Sequence, residues 1–154
     1  MEAEIYFGSE YTIAGDNPSL ARRHSPKLDK DLQPPRTRIL LVDDDDNVRN
    51  VVKAMLEDAD YYVYSAESGV KAISFFRDNL DLIDLLVSDV MMPIMNGREM
   101  YEQLSGLRPG LPVVFISGYS SDILKEIQTT DNVKFLAKPL SQSTLVKTIQ
   151  DVLQ

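Results

Sequence analysis

The chain has 154 residues, 44% of them hydrophobic and 26% charged, which is the composition of one globular domain with room for a short extension. It contains no cysteine, so disulfide frameworks, zinc–thiolate sites and thiol nucleophiles are excluded, and any metal must be held mainly by oxygen. The formal charge of −8 argues against a nucleic-acid surface. No apolar run approaches the roughly 20 residues of a membrane span, and the start lacks the features of a signal peptide, so the sequence predicts a cytoplasmic protein.

Residues 1–36 are predicted to form an extension or linker without a packed core. They have little apolar periodicity and contain several residues that interrupt helices and strands: Gly8, Gly15, Pro18, Pro26, Pro34 and Pro35. A short strand at Ile5 to Phe7 or Glu10 to Ile13 is only weakly indicated. The single histidine, His24, is interpreted as a solvated linker residue, because Pro26 would break the long helix that a phosphorylated kinase histidine requires.

From residue 37 onward the pattern alternates between strands and helices. Short apolar runs predict strands buried on both faces of a parallel sheet. They lie at Ile39 to Val42, Tyr61 to Ser65, Leu85 to Ser88, Val113 to Ile116 and Val133 to Leu136. The intervening segments have helical periodicity, and the resulting five βα units predict a doubly wound α/β sheet with helices on both faces.

The predicted helices have recognisable apolar faces and first turns. The first would bury Val48, Val51, Val52, Met55, Leu56 and Ala59. The later four are supported by Val70, Ile73 and Phe76, by Met100, Leu104 and Leu107, by Ile123, Leu124 and Ile127, and by Leu145, Ile149, Val152 and Leu153. Ser68, Asn96 with Glu99, Ser120 or Ser121, and Ser141 are the predicted caps.

Residues with reactive side chains follow four of the predicted strands. Asp43 to Asp46 follow the first strand, Asp89 the third, Ser117 the fourth and Lys138 the fifth. In a doubly wound sheet, ligands bind at the carboxyl ends of the strands, so these residues should meet at one edge. Two carboxylates about 5 Å apart repel each other by about 3 kcal/mol at an effective dielectric constant near 20, and a bound cation would relieve that repulsion.

The spacing of these motifs closely resembles the receiver domain of bacterial two-component response regulators. The resemblance rests on Val42-Asp43-Asp44, on Asp89-Val90-Met91-Met92-Pro93-Ile94-Met95-Asn96-Gly97, on Ser117-Gly118-Tyr119 and on Lys138-Pro139. It covers residues 37–154 and implies a flavodoxin-like, five-stranded parallel sheet with strand order 2-1-3-4-5.

The resemblance also implies the chemistry of the site. Asp89 would accept a phosphoryl group from a phosphohistidine on a histidine kinase or a histidine phosphotransfer protein. Mg²⁺ would be held directly by Asp44 and Asp89, through water by Asp43, and by the backbone carbonyl of Met91. Lys138 would bind the phosphate oxygens. The Lys138–Pro139 peptide bond is expected to be cis, which would direct the ammonium group into the site.

Two further residues would transmit the phosphorylation signal. Ser117 would donate its hydroxyl to phosphorylated Asp89, and Phe135 would serve as the switch aromatic, with ordinary core packing as the equally weighted alternative. The output would be a changed binding surface on the predicted fourth and fifth helices for an unknown target. Asp45 and Asp46 are predicted to begin the first helix, where negative charge suits the helix dipole, and Met91, Met92 and Met95 to pack their loop.

Two other functions compete with this interpretation. A phosphatase of the haloacid dehalogenase type is suggested by Asp44-Asp45-Asp46-Asn47-Val48, which matches its Asp-x-Asp-x-Thr/Val motif after a strand. A receiver-like module that only binds partners is the second. The Ser117-Gly118-Tyr119 sequence, near the end of the chain, also resembles receivers at the carboxyl end of hybrid sensor histidine kinases.

Overall fold

The computed structural model describes residues 5–6, 36–118 and 131–154. In chain order the elements are β1 (Ile5–Tyr6), β2 (Arg38–Val42), α1 (Asp46–Asp58), β3 (Tyr62–Ala66), α2 (Gly69–Asp78), β4 (Leu85–Asp89), α3 (Gly97–Leu107), β5 (Val113–Ser117), β6 (Val133–Ala137) and α4 (Gln142–Leu153). The predicted helix around Ile123 lies outside the described residues, so α4 corresponds to the predicted fifth helix.

The strands form one sheet in the order β1-β3-β2-β4-β5-β6, in which β2 to β6 are parallel. Counting only these five parallel strands gives the predicted order 2-1-3-4-5, which is therefore confirmed. The first of the two weakly indicated strands, at Ile5 to Phe7, is found as a short antiparallel strand at the edge, where Ile5 pairs with Ala66 and Tyr6 with Ser65. The other, at Glu10 to Ile13, lies outside the described residues. Each predicted parallel strand is found with its ends shifted by no more than one residue.

Each face of the sheet carries its own hydrophobic core. The apolar side chains of α1 and α4 pack on one face, where Leu56 and Ile149 are fully buried. Those of α2 and α3 pack on the other face, where Phe76 and Leu104 are fully buried. Because β2, β4 and β5 are covered on both sides, their residues form nearly continuous apolar runs.

Four helix starts are fixed by side chains that accept backbone N–H groups. Asp45, Ser68, Asn96 and Ser141 are the N-caps of α1, α2, α3 and α4. Asn96 and Glu99 form the predicted capping box, which orients α3 directly behind the end of β4. The predicted caps Ser68, Asn96 and Ser141 are confirmed. Ser120 and Ser121, the candidates for the helix around Ile123, lie outside the described residues.

The buried face of α1 differs from the predicted one. Arg49, Val52 and Leu56 are buried, whereas the side chain of Val51 is 55% exposed. The prediction that Val51 packs inward is therefore wrong, and the buried face includes an arginine instead. Val70, Leu107 and Leu153 are also predicted to lie on buried faces, and all three are exposed.

Candidate functional site

Three carboxylates converge where β2 and β4 end. Val42 pairs with Ser88, so Asp43 and Asp89 follow at neighbouring positions on adjacent parallel strands. One carboxylate oxygen from each of Asp43, Asp44 and Asp89 lies within 4.8 Å of the other two. Asp43 and Asp89 are buried, whereas Asp44 is exposed. The predicted convergence of these carboxylates at one sheet edge is thus what the structure shows.

Lys138 provides a positive charge at the same edge. Its Nζ lies 3.5 Å from Asp89 Oδ2 and 4.0 Å from Asp43 Oδ2. The residue follows β6, and its backbone N–H donates a 2.8 Å hydrogen bond to the carbonyl oxygen of Ser117 at the end of β5. The peptide bond from Lys138 to Pro139 is cis, as predicted. One ammonium group is therefore shared between two buried carboxylates that belong to different strands.

Ser117 occupies the corresponding strand end of β5. It is buried and pairs with Ala137, the residue before Lys138. The structure therefore brings the hydroxyl-bearing residue, the lysine and the acidic cluster to the carboxyl ends of four strands, β2, β4, β5 and β6, as the sequence predicts.

The electrostatics of the cluster are unfavourable for Asp43. Burial raises the pKa of its carboxyl group from an ordinary value of 3.8 to about 6, and the negative charges of Asp89 and Asp44 act in the same direction. The hydrogen bond from the Asp45 backbone N–H, which measures 2.9 Å, and the Lys138 ammonium group lower that pKa without offsetting the burial. In this environment the ionised form of Asp43 would be favoured by an additional cation.

Asp45 and Asp46 serve the start of α1, as predicted. The Asp45 carboxylate caps the helix by accepting hydrogen bonds from the N–H groups of Asn47 and Val48, at 2.9 and 3.1 Å. Asp46 is the first helical residue, and its Oδ1 accepts a 2.5 Å hydrogen bond from Arg49 Nη2. The run of four acids therefore divides into two carboxylates that face the cluster and two that organise the adjacent helix.

Arg49 is a residue of this region that sequence reasoning missed. It is buried, and its Nη1 donates a 2.8 Å hydrogen bond to the backbone carbonyl oxygen of Asp43. A signal was present, because Arg49 stands three and seven positions before the buried Val52 and Leu56, on their helix face. A charged residue on a buried face calls for partners, and here they belong to the acidic run.

The loop after Asp89 packs closely against the backbone of that residue. The Met91 N–H donates a 3.3 Å hydrogen bond to Asp89 Oδ1, and the Ser88 hydroxyl donates one of 2.8 Å to the Asp89 carbonyl oxygen. A Cβ atom at Gly97 would lie 2.2 Å from that carbonyl oxygen. Glycine is therefore required at the start of α3, a requirement that the sequence shows only as a turn signal.

The methionines of this loop do not behave alike. Met92 and Met95 pack against the core, which agrees with the prediction, whereas Met91 is 47% exposed. Ile94 is almost wholly exposed and adopts a positive φ of 70°, a conformation that costs energy for a β-branched residue. The loop thus combines a packed base with two exposed apolar side chains beside the carboxylates.

Phe135, on β6, is partly buried and packs against the core. Its ring stacks on that of Phe115 with centroids 5.1 Å apart and an interplanar angle of 22°. Tyr101 contacts Phe115 edge-on, with ring centroids 5.7 Å apart. This describes an inward, packed ring, and a switch role for Phe135 stays a prediction, as does the surface that the predicted fourth helix would offer.

The donor set fits a small divalent cation of the Mg²⁺ type. Three carboxylates supply hard oxygen ligands, and burial of two of them leaves their repulsion poorly screened. The exposed Asp44 leaves the cluster open to solvent on one side, which suits an ion that keeps several water ligands.

A family model described as the response regulator receiver domain matches residues 39–150. The chain is 32% identical to the sensor kinase CckA of Brucella abortus over 142 residues, which are 92% of this chain but 15% of that protein. Among the curated relatives, the chain spans only 15% to 26% of their length. The activities of those whole proteins are therefore not statements about this chain.

Solved structures agree with the family match. The receiver domain of the hybrid histidine kinase CckA is 37% identical, with a TM-score of 0.65 over 76% of this chain and 99% of that one. The Vibrio cholerae chemotaxis protein CheY4 is 30% identical, with a TM-score of 0.69 over 77% of this chain and 100% of that one. No helix in the described ranges is long and apolar enough to cross a membrane.

Proposed function

This chain belongs to the response regulator receiver domain family of two-component systems, and from that premise we propose that it is a phosphoaccepting switch with Asp89 as the acceptor. The observation that carries the proposal is the sharing of one ammonium group, that of Lys138, between Asp89 and Asp43 at the carboxyl ends of the strands. A buried carboxylate beside a cation and two further acids is the arrangement that phosphoryl transfer to an acid requires.

In the proposed step, a carboxylate oxygen of Asp89 attacks the phosphorus of a phosphohistidine on a histidine kinase or a phosphotransfer protein. The new P–O bond forms as the P–N bond breaks, and the electron pair of the broken bond returns to the imidazole, which takes up a proton. Lys138, 3.5 Å from Asp89, offsets the charge of the incoming phosphoryl oxygens. The product is an acyl phosphate on Asp89.

Asp43, Asp44, Asp89 and the backbone carbonyl of Met91 would hold Mg²⁺ at this edge. When bound, the ion supplies positive charge that reduces the repulsion between the phosphoryl group and the carboxylates. The raised pKa of Asp43 supports this assignment, since burial and the charges of Asp89 and Asp44 oppose its ionisation without a cation. The Met91 N–H donates a hydrogen bond to Asp89 Oδ1, which supports the assignment by showing that the residue adjoins the acidic cluster.

Ser117 and Phe135 would convert the acyl phosphate into a changed surface. Ser117 ends β5 beside Lys138 and would donate its hydroxyl to the phosphoryl group. Phe135, stacked on Phe115, would change rotamer as the chain after Ser117 moves inward. The unknown target would read this change on α4 and on the predicted helix around Ile123.

The proposal extends to the organisation of the chain. Residues 37–154 would be the receiver and residues 1–36 an extension or linker, within a stand-alone regulator or at the end of a hybrid histidine kinase. Similarity to a kinase receiver supports the second arrangement. We expect no separate enzyme activity beyond phosphorylation and dephosphorylation of the domain itself. A cytoplasmic location without nucleic-acid binding is part of the same proposal.

Contacts in the acidic run argue against the phosphatase alternative. In the Asp-x-Asp motif, Asp44 would be the nucleophile and Asp46 the general acid, yet Asp46 is paired with Arg49. Turnover of phosphate monoesters that is abolished in Asp44→Asn and kept in Asp89→Asn would restore that alternative.

The proposal is tested by labelling the protein with Mg²⁺ and a small phosphodonor such as acetyl phosphate. We expect one hydroxylamine-labile phosphoryl group in the wild-type protein and none in Asp89→Asn. Asp81→Asn, which changes an exposed aspartate before β4 at the opposite edge of the sheet, is the matched control and should label normally. Equal labelling of Asp89→Asn and the wild-type protein would refute Asp89 as the acceptor, whereas a wild-type protein that takes no label would favour the module that only binds partners.

A further inference from the structure

Arg49 is a charged side chain buried beside the acidic cluster, with a contact to each end of the acidic run. It is 6% exposed, Nη1 donates to the Asp43 carbonyl oxygen at 2.8 Å, and Nη2 donates to Asp46 Oδ1 at 2.5 Å. We propose that Arg49, with Asp46 as its counter-ion, is a positioning residue that holds Asp43 in the geometry required for binding the cation. The inference rests on the proposed function, because it assigns Asp43 to the cation site.

Asp43 is held at two points by the turn that follows it. Arg49 binds its backbone carbonyl oxygen, while the Asp45 N–H donates to its Oδ1 at 2.9 Å. Asp45 is itself fixed, because its carboxylate accepts two N–H groups of the first turn of α1. Neither the backbone nor the carboxylate of Asp43 can shift without breaking one of these hydrogen bonds.

The cluster needs such a restraint because its members repel one another. One carboxylate oxygen from each of Asp43, Asp44 and Asp89 lies within 4.8 Å of the other two, and like charges at that distance repel one another unless a cation lies between them. A guanidinium group is suited to closing that turn, because its planar fork donates in two directions from one rigid group. An ammonium group at this position would lack the fork.

The ion pair with Asp46 allows the Arg49 guanidinium group to be buried here without opposing the binding of Mg²⁺. Its carboxylate pairs with the guanidinium, although the Asp46 side chain is itself 75% exposed. The pair is formally neutral, so the restraint on Asp43 adds no net positive charge beside the metal ligands. Asp46 therefore has a role distinct from that of Asp45, which caps the helix.

The first test is Arg49→Lys, which keeps the charge and loses the fork. Loss of groups that orient metal ligands weakens metal binding by about 10- to 100-fold, so we expect the Mg²⁺ dissociation constant to rise at least about 10-fold. Isothermal titration calorimetry well below the unfolding temperature measures this, and hydrogen exchange of the Asp45 amide in metal-free protein should accelerate. A lower melting temperature with unchanged Mg²⁺ affinity and unchanged Asp45 exchange would overturn the positioning role.

A charge-matched pair of variants gives a second test that does not depend on the stability of Arg49→Lys. Asp45→Asn and Asp46→Asn each remove one negative charge, and asparagine also caps helices well. Only Asp46→Asn removes the counter-ion of Arg49. We expect it to weaken Mg²⁺ binding several-fold more than Asp45→Asn does, and equal effects would overturn the inference.

The failure of this inference is separable from the failure of the proposed function. A wild-type protein that binds Mg²⁺ and is labelled on Asp89, beside an Arg49→Lys variant of equal Mg²⁺ affinity, refutes only the positioning role. A wild-type protein that binds no Mg²⁺ refutes the proposed metal site and the cation-directed role of Arg49 together.

Discussion

At the scale of single residues, burial separates the two acids that begin the acidic run. Asp43 is buried and the neighbouring Asp44 is exposed, although both contribute to the same three-carboxylate cluster. Charge repulsion within the run could be predicted from the sequence. The sequence could not show which of the two carboxylates is harder to ionise, because that depends on how deeply each is buried at the end of β2.

Asp43→Asn should therefore stabilise the metal-free protein near pH 7. The folded-state pKa of about 6 lies above the ordinary 3.8, so the favourable contribution of protonated Asp43 is complete below about pH 3.8 and is lost as the pH rises through 6. The variant should exceed the wild type in unfolding free energy by at most about 3 kcal/mol at pH 7, and by much less at pH 4.

Urea denaturation followed by circular dichroism at the two pH values measures this difference. Asp44→Asn is the matched control, and its gain at pH 7 should be smaller because its side chain is exposed. Equal gains for the two variants would contradict the burial argument. We expect Mg²⁺ to stabilise the wild type and to stabilise both variants less.

Lys138→Gln should change Mg²⁺ binding and phosphorylation in opposite directions. Removing the ammonium group, which lies within 4.0 Å of two carboxylates, leaves the cluster more negative and should tighten Mg²⁺ binding several-fold. The same change removes a charge that would face the phosphoryl oxygens, so the rate of labelling by acetyl phosphate should fall at least about 10-fold. Parallel changes in the two quantities would count against the assigned role.

At the scale of helices and strands, polar contacts at the end of a helix determine which face it buries when its apolar periodicity allows more than one. The apolar residues of α1 are compatible with several buried faces, and the predicted face included Val51. In the structure the capping by Asp45 and the contact between Arg49 and the Asp43 carbonyl oxygen set the rotation of the helix, which turns Val51 outward. The apolar periodicity of the sequence could not predict the rotation of α1 about its axis, because both of the contacts that set it are made by polar groups.

The start of α3 offers a paired test of close packing. Gly97→Ala would place a Cβ atom 2.2 Å from the Asp89 carbonyl oxygen, so we expect a loss of about 1 to 3 kcal/mol in unfolding free energy and slower phosphorylation. Gly106→Ala in the same helix has no atom within 4 Å of the new Cβ and should be neutral or stabilising by up to about 1 kcal/mol. Urea denaturation compares them, and similar effects of the two substitutions would refute the steric argument.

At the scale of the whole molecule, the sheet is longer by one strand than the predicted sheet of five. The parallel order was accessible from the sequence, since alternating strands and helices with right-handed crossovers restrict the topology strongly. The pairing of Ile5 and Tyr6 with β3 could not be predicted, because a strand of two residues is too short to show a periodic pattern. The convergence of the carboxylates, Ser117 and Lys138 at one edge was predicted correctly, because it follows from the parallel order alone.

Deleting residues 1–10 should expose the outer edge of β3 to other molecules. Unpaired strand edges associate, so we expect the truncated chain to self-associate as its concentration rises while the full chain does not. Sedimentation velocity over a range of concentrations measures the difference. A truncated chain that sediments identically to the full chain would show that β1 does not protect this edge.

The groups of the proposed site come from distant parts of the chain, so the site would react only in a chain that has folded completely. The carboxylates and the ammonium group come from the ends of β2, β4 and β6, and β2 lies between β3 and β4, so no short fragment holds the cluster. A partly folded chain that has formed only one half of the sheet would keep native helices and lack the site. With Asp89 as the proposed acceptor, its labelling would be a quantitative probe of native protein in denaturant, where circular dichroism would report helices alone.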